Sequence, residues 1–242
     1  MKLTNRQREI LDILKEQEYA KVEYLAKKTY ISPSSVRRDL QYMEKHGLVE
    51  RDYGGVRMAG RTRKTPPIQV RKGKDRAAKR ELASKAIDFV KDGYSVILDS
   101  STTTLYMVEY LAKLKNITVF TNNLDTALAC IEKGIAVYVI GGRSISGMPV
   151  LGGAYAEEML EKISADIAFF SSYGIDKDGV VSDTCEEENK MRKIMISRAK
   201  KRILMIDKTK IGRSALHVLC SVRELDGFVT NDDGTAAQYM GN

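Results

Sequence analysis

From residue 76 onward, short unbroken apolar runs alternate with amphipathic stretches, and this alternation restricts the fold more than any other property of the chain. Strand-sized runs at 96–98, 117–120, 136–140, 167–170, 203–206 and 228–230 are separated by helical patterns over 77–90, 103–114, 124–131, 154–163 and 187–199. Strands buried on both faces read as continuous apolar runs, and parallel strands need long crossovers that are usually helices. Residues 76–242 are therefore expected to form an open, mostly parallel α/β sheet with helices on both faces.

The polar residues of this segment cluster just after the strands. Asp99, Ser100, Ser101, Thr102 and Thr103 follow the first, and Thr121 and Asn122 end the second. Gly141, Gly142 and Arg143 follow the third, Ser171 to Gly174 the fourth, and Asp207 to Lys210 the fifth. In open α/β sheets ligands bind outside the carboxyl ends of the strands, so these segments are expected to share one pocket. Hydroxyls at a helix N-terminus suit an anion, Arg143 and Lys210 supply opposite charge, and Asp99 and Asn122 suit sugar hydroxyls. Each signal alone is ordinary turn or cap chemistry; their common position after successive strands points to a small, anionic, polyhydroxy ligand.

The first third of the chain has another character. Thr4 and Gln7 match a capping box ahead of Ile10, Leu11, Ile13 and Leu14, and residues 22–28 read as a second helix. Ser32 suits an N-cap and Pro33 the first helical position of a third helix. Val36, Leu40 and Met43 recur at i, i+4 and i+7 as its buried stripe, leaving Ser34, Ser35, Arg37, Arg38 and Gln41 to face a partner. Two short strands around Gly54 and Gly55 follow as a wing, from which Arg51 and Arg57 are expected to reach a nucleic-acid backbone or minor groove. The order is that of a winged helix-turn-helix presenting a helix to a DNA major groove.

Charge agrees with this division. The chain carries 40 Lys and Arg against 32 Asp and Glu, a net charge of +8. Residues 1–75 hold 18 basic and 10 acidic side chains, so the excess lies there and the remainder is neutral. A polyanion-binding head on a neutral body accounts for it. Residues 1–58 are read as the DNA-binding domain, 59–75 as a basic linker containing Pro66 and Pro67, and 76–242 as the second domain. The three cysteines are isolated and odd in number, which argues against a disulfide framework and suits a cytoplasmic protein. No apolar run is long enough for a membrane span and no signal-peptide pattern opens the chain. The two histidines, and the absence of HExxH, GxSxG and Walker-type motifs, leave no catalytic, metal or cofactor site to propose. Glu186, Glu187 and Glu188 are expected to serve the dipole of the helix they open.

In the head, Ser32, Ser35-Val-Arg-Arg-Asp-Leu40, Gly47, Arg51 and Gly54-Gly55 resemble the DeoR/GlpR-type bacterial transcriptional regulators. In the body, Asp99-x-Ser-Thr-Thr103, Thr121-Asn122, Gly141-Gly142, Gly174-Ile-Asp176 and Asp207-x-x-Lys210 are similar to the same family. The resemblance implies a sensor domain related to ribose-5-phosphate isomerase and coenzyme A transferase folds, binding a phosphorylated sugar or polyol. It also implies repression of a carbohydrate catabolic operon; a homodimer or homotetramer is expected because paired heads read paired half-sites, and no enzyme is expected. Two other readings stand beside it: an isomerase-like enzyme fused to a DNA-binding head, and a DNA-binding protein whose second domain only oligomerises.

Overall fold

The computed structural model describes residues 3–16, 19–52, 55–58, 75–145, 148–232, 234 and 239. The chain divides into two compact units, Met1–Pro66 and Pro67–Asn242. Residues 59–74 of the expected linker, and Tyr53 and Gly54 of the wing, lie outside the described residues.

In the first unit α1 (Asn5–Glu16) begins with the expected capping box: Gln7 N donates to Thr4 Oγ1 at 3.2 Å and Thr4 N to Gln7 Oε1 at 3.1 Å. β1 (Ala20–Lys21), α2 (Val22–Thr29) and α3 (Pro33–Lys45) follow, then β2 (Val49–Asp52) and β3 (Gly55–Met58). Ser32 caps α3 by accepting from Ser35 N at 3.3 Å. Val36, Leu40 and Met43 are fully buried against Ile10, Leu14 and Leu25, as their spacing requires. The wing has three strands in the order β1-β3-β2, not two, because Ala20 pairs with Val56. Gly55 permits this: a Cβ there would occupy the space of the Tyr19 ring and the Ala20 carbonyl. Its role is close approach as well as turning.

The second unit carries β4 (Ser95–Leu98), β5 (Thr118–Thr121), β6 (Ala136–Val139), β7 (Arg143–Ser144) and β8 (Leu151–Gly152). Then come β9 (Ala165–Phe170), β10 (Gly174–Ile175), β11 (Val180–Asp183), β12 (Ala199–Met205), β13 (His217–Ser221) and β14 (Gly227–Val229). Six of these form one sheet in the order β14-β12-β9-β4-β5-β6, with every pairing parallel. The chain starts at the centre, runs outward through β5 and β6, then returns to β9 and runs outward the other way. The order reverses between β4 and β9, which is where ligands bind in doubly wound sheets.

Apolar residues on both faces, among them Val96, Leu98 and Phe169 on one and Ile97, Ala168 and Met191 on the other, make two cores. Cys130 and Cys220 are buried in cores of this unit, and burial pushes both thiols up to about 12, so neither is a nucleophile at neutral pH. One expectation needs correction. The pattern over 103–114 yields only a 3-10 turn at Thr104–Tyr106 and a five-residue helix at Met107–Leu111. The unit also contains a small antiparallel sheet, β10-β11-β13, which the reading of a mostly parallel domain did not specify.

At the amino end of the sheet Asp166 joins three strands. It accepts from Lys200 Nζ at 2.8 Å, Ser95 N at 2.9 Å and Ser95 Oγ at 2.7 Å. The Lys200 hydrogen bond, followed by those from Ser95, lowers its pKa to about 2. A carboxylate depressed in the folded state contributes stability above its unfolded pKa and loses it as pH falls through the folded value. The denaturation free energy of Asp166→Asn, followed from pH 7 to pH 2, should accordingly fall less steeply between about 4 and 2 than that of the parent. Parallel curves would show that the clasp contributes nothing to folding.

Candidate functional site

The exposed face of α3 carries Ser34, Arg37, Arg38 and Gln41, with Ser35 half-buried beside its cap. Arg37 makes one long, exposed ion pair to Glu23 at 3.4 Å, and Arg38 has no partner among the described residues. α3 is held to α1 through Asp39, which is buried and accepts from Arg6 Nη2 at 2.9 Å and Gln7 Nε2 at 3.2 Å. Asp39 was not picked out by its sequence context, although it lies three positions from Val36 on the inner face. The turn before α3 also presents Tyr30, left-handed at φ 54° and 94% exposed.

Arg51 is exposed, near Glu44 at 3.8 Å. Arg57 does not match its expectation. It stands opposite Glu50 in the β2–β3 register, donates to it at 2.8 Å and is buried, because β3 is the central strand once β1 is added. A cross-strand ion pair on a central strand is a structural use of the arginine. Of the net charge in the first 75 residues, +3 falls on residues 1–58 and +5 on 59–75, so most of it sits on the linker segment.

In the second unit, the segments after β4 and β9 meet at the switch point. Asp99 uses both carboxylate oxygens there: Oδ1 accepts from Ser101 N and Thr104 Oγ1, Oδ2 from Ser171 N and Arg192 Nε. It is therefore a scaffold for the loop, and not a free acceptor for sugar hydroxyls. Asp207 is likewise engaged, capping the Lys208–Lys210 turn through Thr209 N and Oγ1. Lys210 Nζ donates to Ser172 O at 2.7 Å and Ser171 Oγ at 3.3 Å.

Thr102 and Thr103 are buried, yet their hydroxyls and amide N–H groups make no hydrogen bond among the described residues. Asn122 Nδ2 donates to Leu151 O at 2.7 Å, while its buried Oδ1 has no partner. Ser100 Oγ donates to Glu188 at 2.7 Å. Gly142 lies where a Cβ would meet the Gly152 carbonyl, which brings the segment after β6 against β8, and Gly141 is unconfined. Arg143 reaches Glu187, and Gly174 lies tight against Arg213. Thus 99–104, 171–172 and 210 converge directly, and Asn122 is tied to β8 beside Asn123, which donates to Ser100 O. Gly141, Gly142 and Arg143 join through β8 and the helix at Glu186–Ser197, and Gly174 begins the second sheet.

The residue that organises this site is Arg192, 3% exposed on that helix. Its guanidinium donates to Asp99 and Asp183 at 2.8 Å and to Glu188 at 3.0 Å. Burial by itself would lower its pKa; Asp183, Asp99 and Glu188 more than reverse this and hold it above its usual range. Glu188 lies in the first turn of its helix as expected, and is in addition an internal partner of Arg192. The only hint in the sequence was the i, i+4 spacing of Glu188 and Arg192, which ordinary surface pairs share.

The switch point and the helix-turn-helix place this chain beside known regulators. Residues 6–62 match the model of the DeoR-like helix-turn-helix domain and residues 74–232 that of the DeoR C terminal sensor domain. The chain belongs to the DeoR family.

DeoR-family relatives span nearly its whole length. It is 28% identical to the putative aga operon transcriptional repressor of Escherichia coli O157:H7, over 98% of this chain and 89% of that protein. It is 27% identical to the glycerol-3-phosphate regulon repressor of Escherichia coli K12, over 96% of this chain and 92% of that protein. Among solved structures, a D-ribose-5-phosphate isomerase in complex with phospho-erythronic acid aligns with TM-score 0.41 and 19% identity, covering 55% of this chain and 52% of that one. As a DeoR-family member the chain is a DNA-binding transcriptional regulator and not an enzyme. No described helix is long and apolar enough to cross a membrane.

Proposed function

We propose that this regulator is a cytoplasmic repressor of a carbohydrate catabolic operon, released when its sensor unit binds a phosphorylated sugar or polyol. The observation that carries the reading is the set of unpaired donors on Thr102 and Thr103 at the switch point, with Lys210 held on the adjoining Ser171–Ser172 segment. These hydroxyl and amide groups have no protein partner among the described residues, and phosphate oxygens are strong acceptors for such donors. The turn that follows is too short for a helix dipole to matter much, so donors and Lys210 supply the attraction. The buried, unpartnered Asn122 Oδ1 then accepts from a sugar hydroxyl. That the two Escherichia coli relatives are named for the aga operon and the glycerol-3-phosphate regulon supports carbohydrate regulation here. In the head, Ser34, Ser35, Arg37, Arg38, Gln41 and Arg51 are assigned to DNA contact, with Tyr30 added on its exposure.

A thermal-shift screen of the full chain against phosphorylated sugars and polyols, each paired with its unphosphorylated form, tests the reading. A ligand at a hundred times its Kd stabilises the folded state by about 2.7 kcal/mol, so one phosphorylated compound should raise the melting temperature while its neutral counterpart does not. Lys210→Ala should abolish that shift and operator release while leaving operator binding intact. Thr103→Val, which keeps the amide N–H, should act more mildly. An unaltered response in Lys210→Ala would disprove the pocket.

A further inference from the structure

We infer that two copies of this chain join through the β6 edge of the sensor sheet, strand to strand about a twofold axis. The two edges of this sheet are finished differently. At one edge all three residues of β14 are buried. At the other, Ala136, Tyr138 and Val139 of β6 are exposed, and no strand pairs with its outer side among the described residues. β6 reads Ala-Val-Tyr-Val, with no charge, no proline and no bulge, the devices by which natural proteins block a free edge.

The layers on both faces of this edge are unfinished as well. On one face, the helix Leu124–Glu132 buries Thr126, Ala127 and Cys130 and exposes Leu124, Leu128 and Ile131 by 39%, 59% and 61%. Those three recur at i, i+4 and i+7, a second apolar stripe left exposed by the described residues. On the other face, Tyr138 stacks on Phe120 with ring centroids 5.0 Å apart and lines a groove with Tyr155, Met159, Ile163 and the ion-paired Glu158 and Lys162. Tyr155 is 81% exposed. Apart from the Glu158–Lys162 pair, helix, strand and groove thus end together in apolar side chains, like a core cut through at one plane.

A second copy is the occupant that meets these terms. The strand and the stripe carry no charge, and Glu158 and Lys162 of the groove pair with each other, so the surface meets itself without net like-charge repulsion, whereas a strongly acidic or basic partner finds no net counter-charge on it. A twofold axis through the middle of β6 sets Ala136 opposite Val139 of the partner subunit and Val137 opposite Tyr138 of the partner subunit, an isologous antiparallel pair. Each chain contains one helix-turn-helix, and paired heads are what read paired half-sites. The effector reading plays no part in this inference.

Light scattering of the full chain coupled to gel filtration tests it, with amide exchange of residues 136–139 measured at low and high protein concentration. The parent should run at about twice 27.1 kDa or a higher multiple. The double variant Leu128→Glu/Ile131→Glu and, separately, Tyr138→Lys should at least halve that mass without changing the far-ultraviolet circular dichroism. Leu216→Glu/Val218→Lys alters the exposed apolar residues around β13 and should leave the mass alone. The β6 amides should exchange more slowly at high concentration. A parent of 27.1 kDa at all concentrations would overturn both dimer and surface. A multimer that survives the edge variants, or that only the β13 variant disrupts, would overturn the surface alone. Should the edge variants misfold, β6 amides that exchange equally fast at both concentrations would overturn it too.

Discussion

Replacing Arg192 with leucine should destabilise the sensor unit by about 3–5 kcal/mol, the largest effect expected of any single change in it. The guanidinium lies among Asp99, Asp183 and Glu188 and donates to all three. Leucine would leave three buried carboxylates with their strongest donor removed, which costs far more than an exposed ion pair would. Arg192→Lys should recover only part of the loss, because an ammonium cannot reproduce three hydrogen bonds directed along a planar fork. Urea unfolding followed by far-ultraviolet circular dichroism is the suitable measurement, since the chain has no tryptophan. A loss below about 1 kcal/mol would mean that the cluster relaxes or takes up water, and that Arg192 does not organise the site.

The second large effect concerns the head. Operator affinity should fall about a thousandfold between 50 and 200 mM salt, the loss expected when roughly six phosphates are neutralised on binding. Arg38→Ala should weaken binding further and, if the arginine is bidentate to a guanine, erase about 1–3 kcal/mol of discrimination at one base position. Its melting temperature should match the parent's, because Arg38 is exposed and has no described partner. Leu40→Ala should behave differently, losing about 2–5 kcal/mol of packing, since Leu40 is fully buried. A flat salt response in a mobility-shift titration would refute the first expectation, and equal thermal losses in the two variants the second. With +5 of the charge on residues 59–75, removal of those basic residues should flatten the salt slope more than any wing substitution.

The head was largely legible because its signals are local. A cap, a proline at the first helical position and a stripe at 3.6-residue spacing each act within a few residues, and Ser32, Pro33 and Val36, Leu40 and Met43 all stand where those signals put them. Arg57 was misassigned because a two-residue strand, Ala20–Lys21, has no period to detect, and that strand makes β3 central. In the sensor, the parallel strands were readable as apolar runs and the polar clusters as strand ends. The helix over 103–114 was overestimated because its hydroxyls bond to the loop: Thr104 Oγ1 donates to Asp99, an alternative to helical backbone pairing.

What the sequence by itself determined was therefore the kind and order of the elements, the face each helix buries and the end of the sheet where polar residues gather. These follow from periodicity, capping and chain direction, which are properties of neighbouring residues. Only the tertiary structure decided which of those polar groups are free. Asp99 and Arg192 lie 93 positions apart, and nothing local distinguishes a carboxylate that will be saturated from one left open. The parallel crossovers from β4 to β9 and on to the Glu186–Ser197 helix bring them together. Burial then obliges each charge to find a partner, leaving Thr102, Thr103 and Asn122 Oδ1 with capacity to spare.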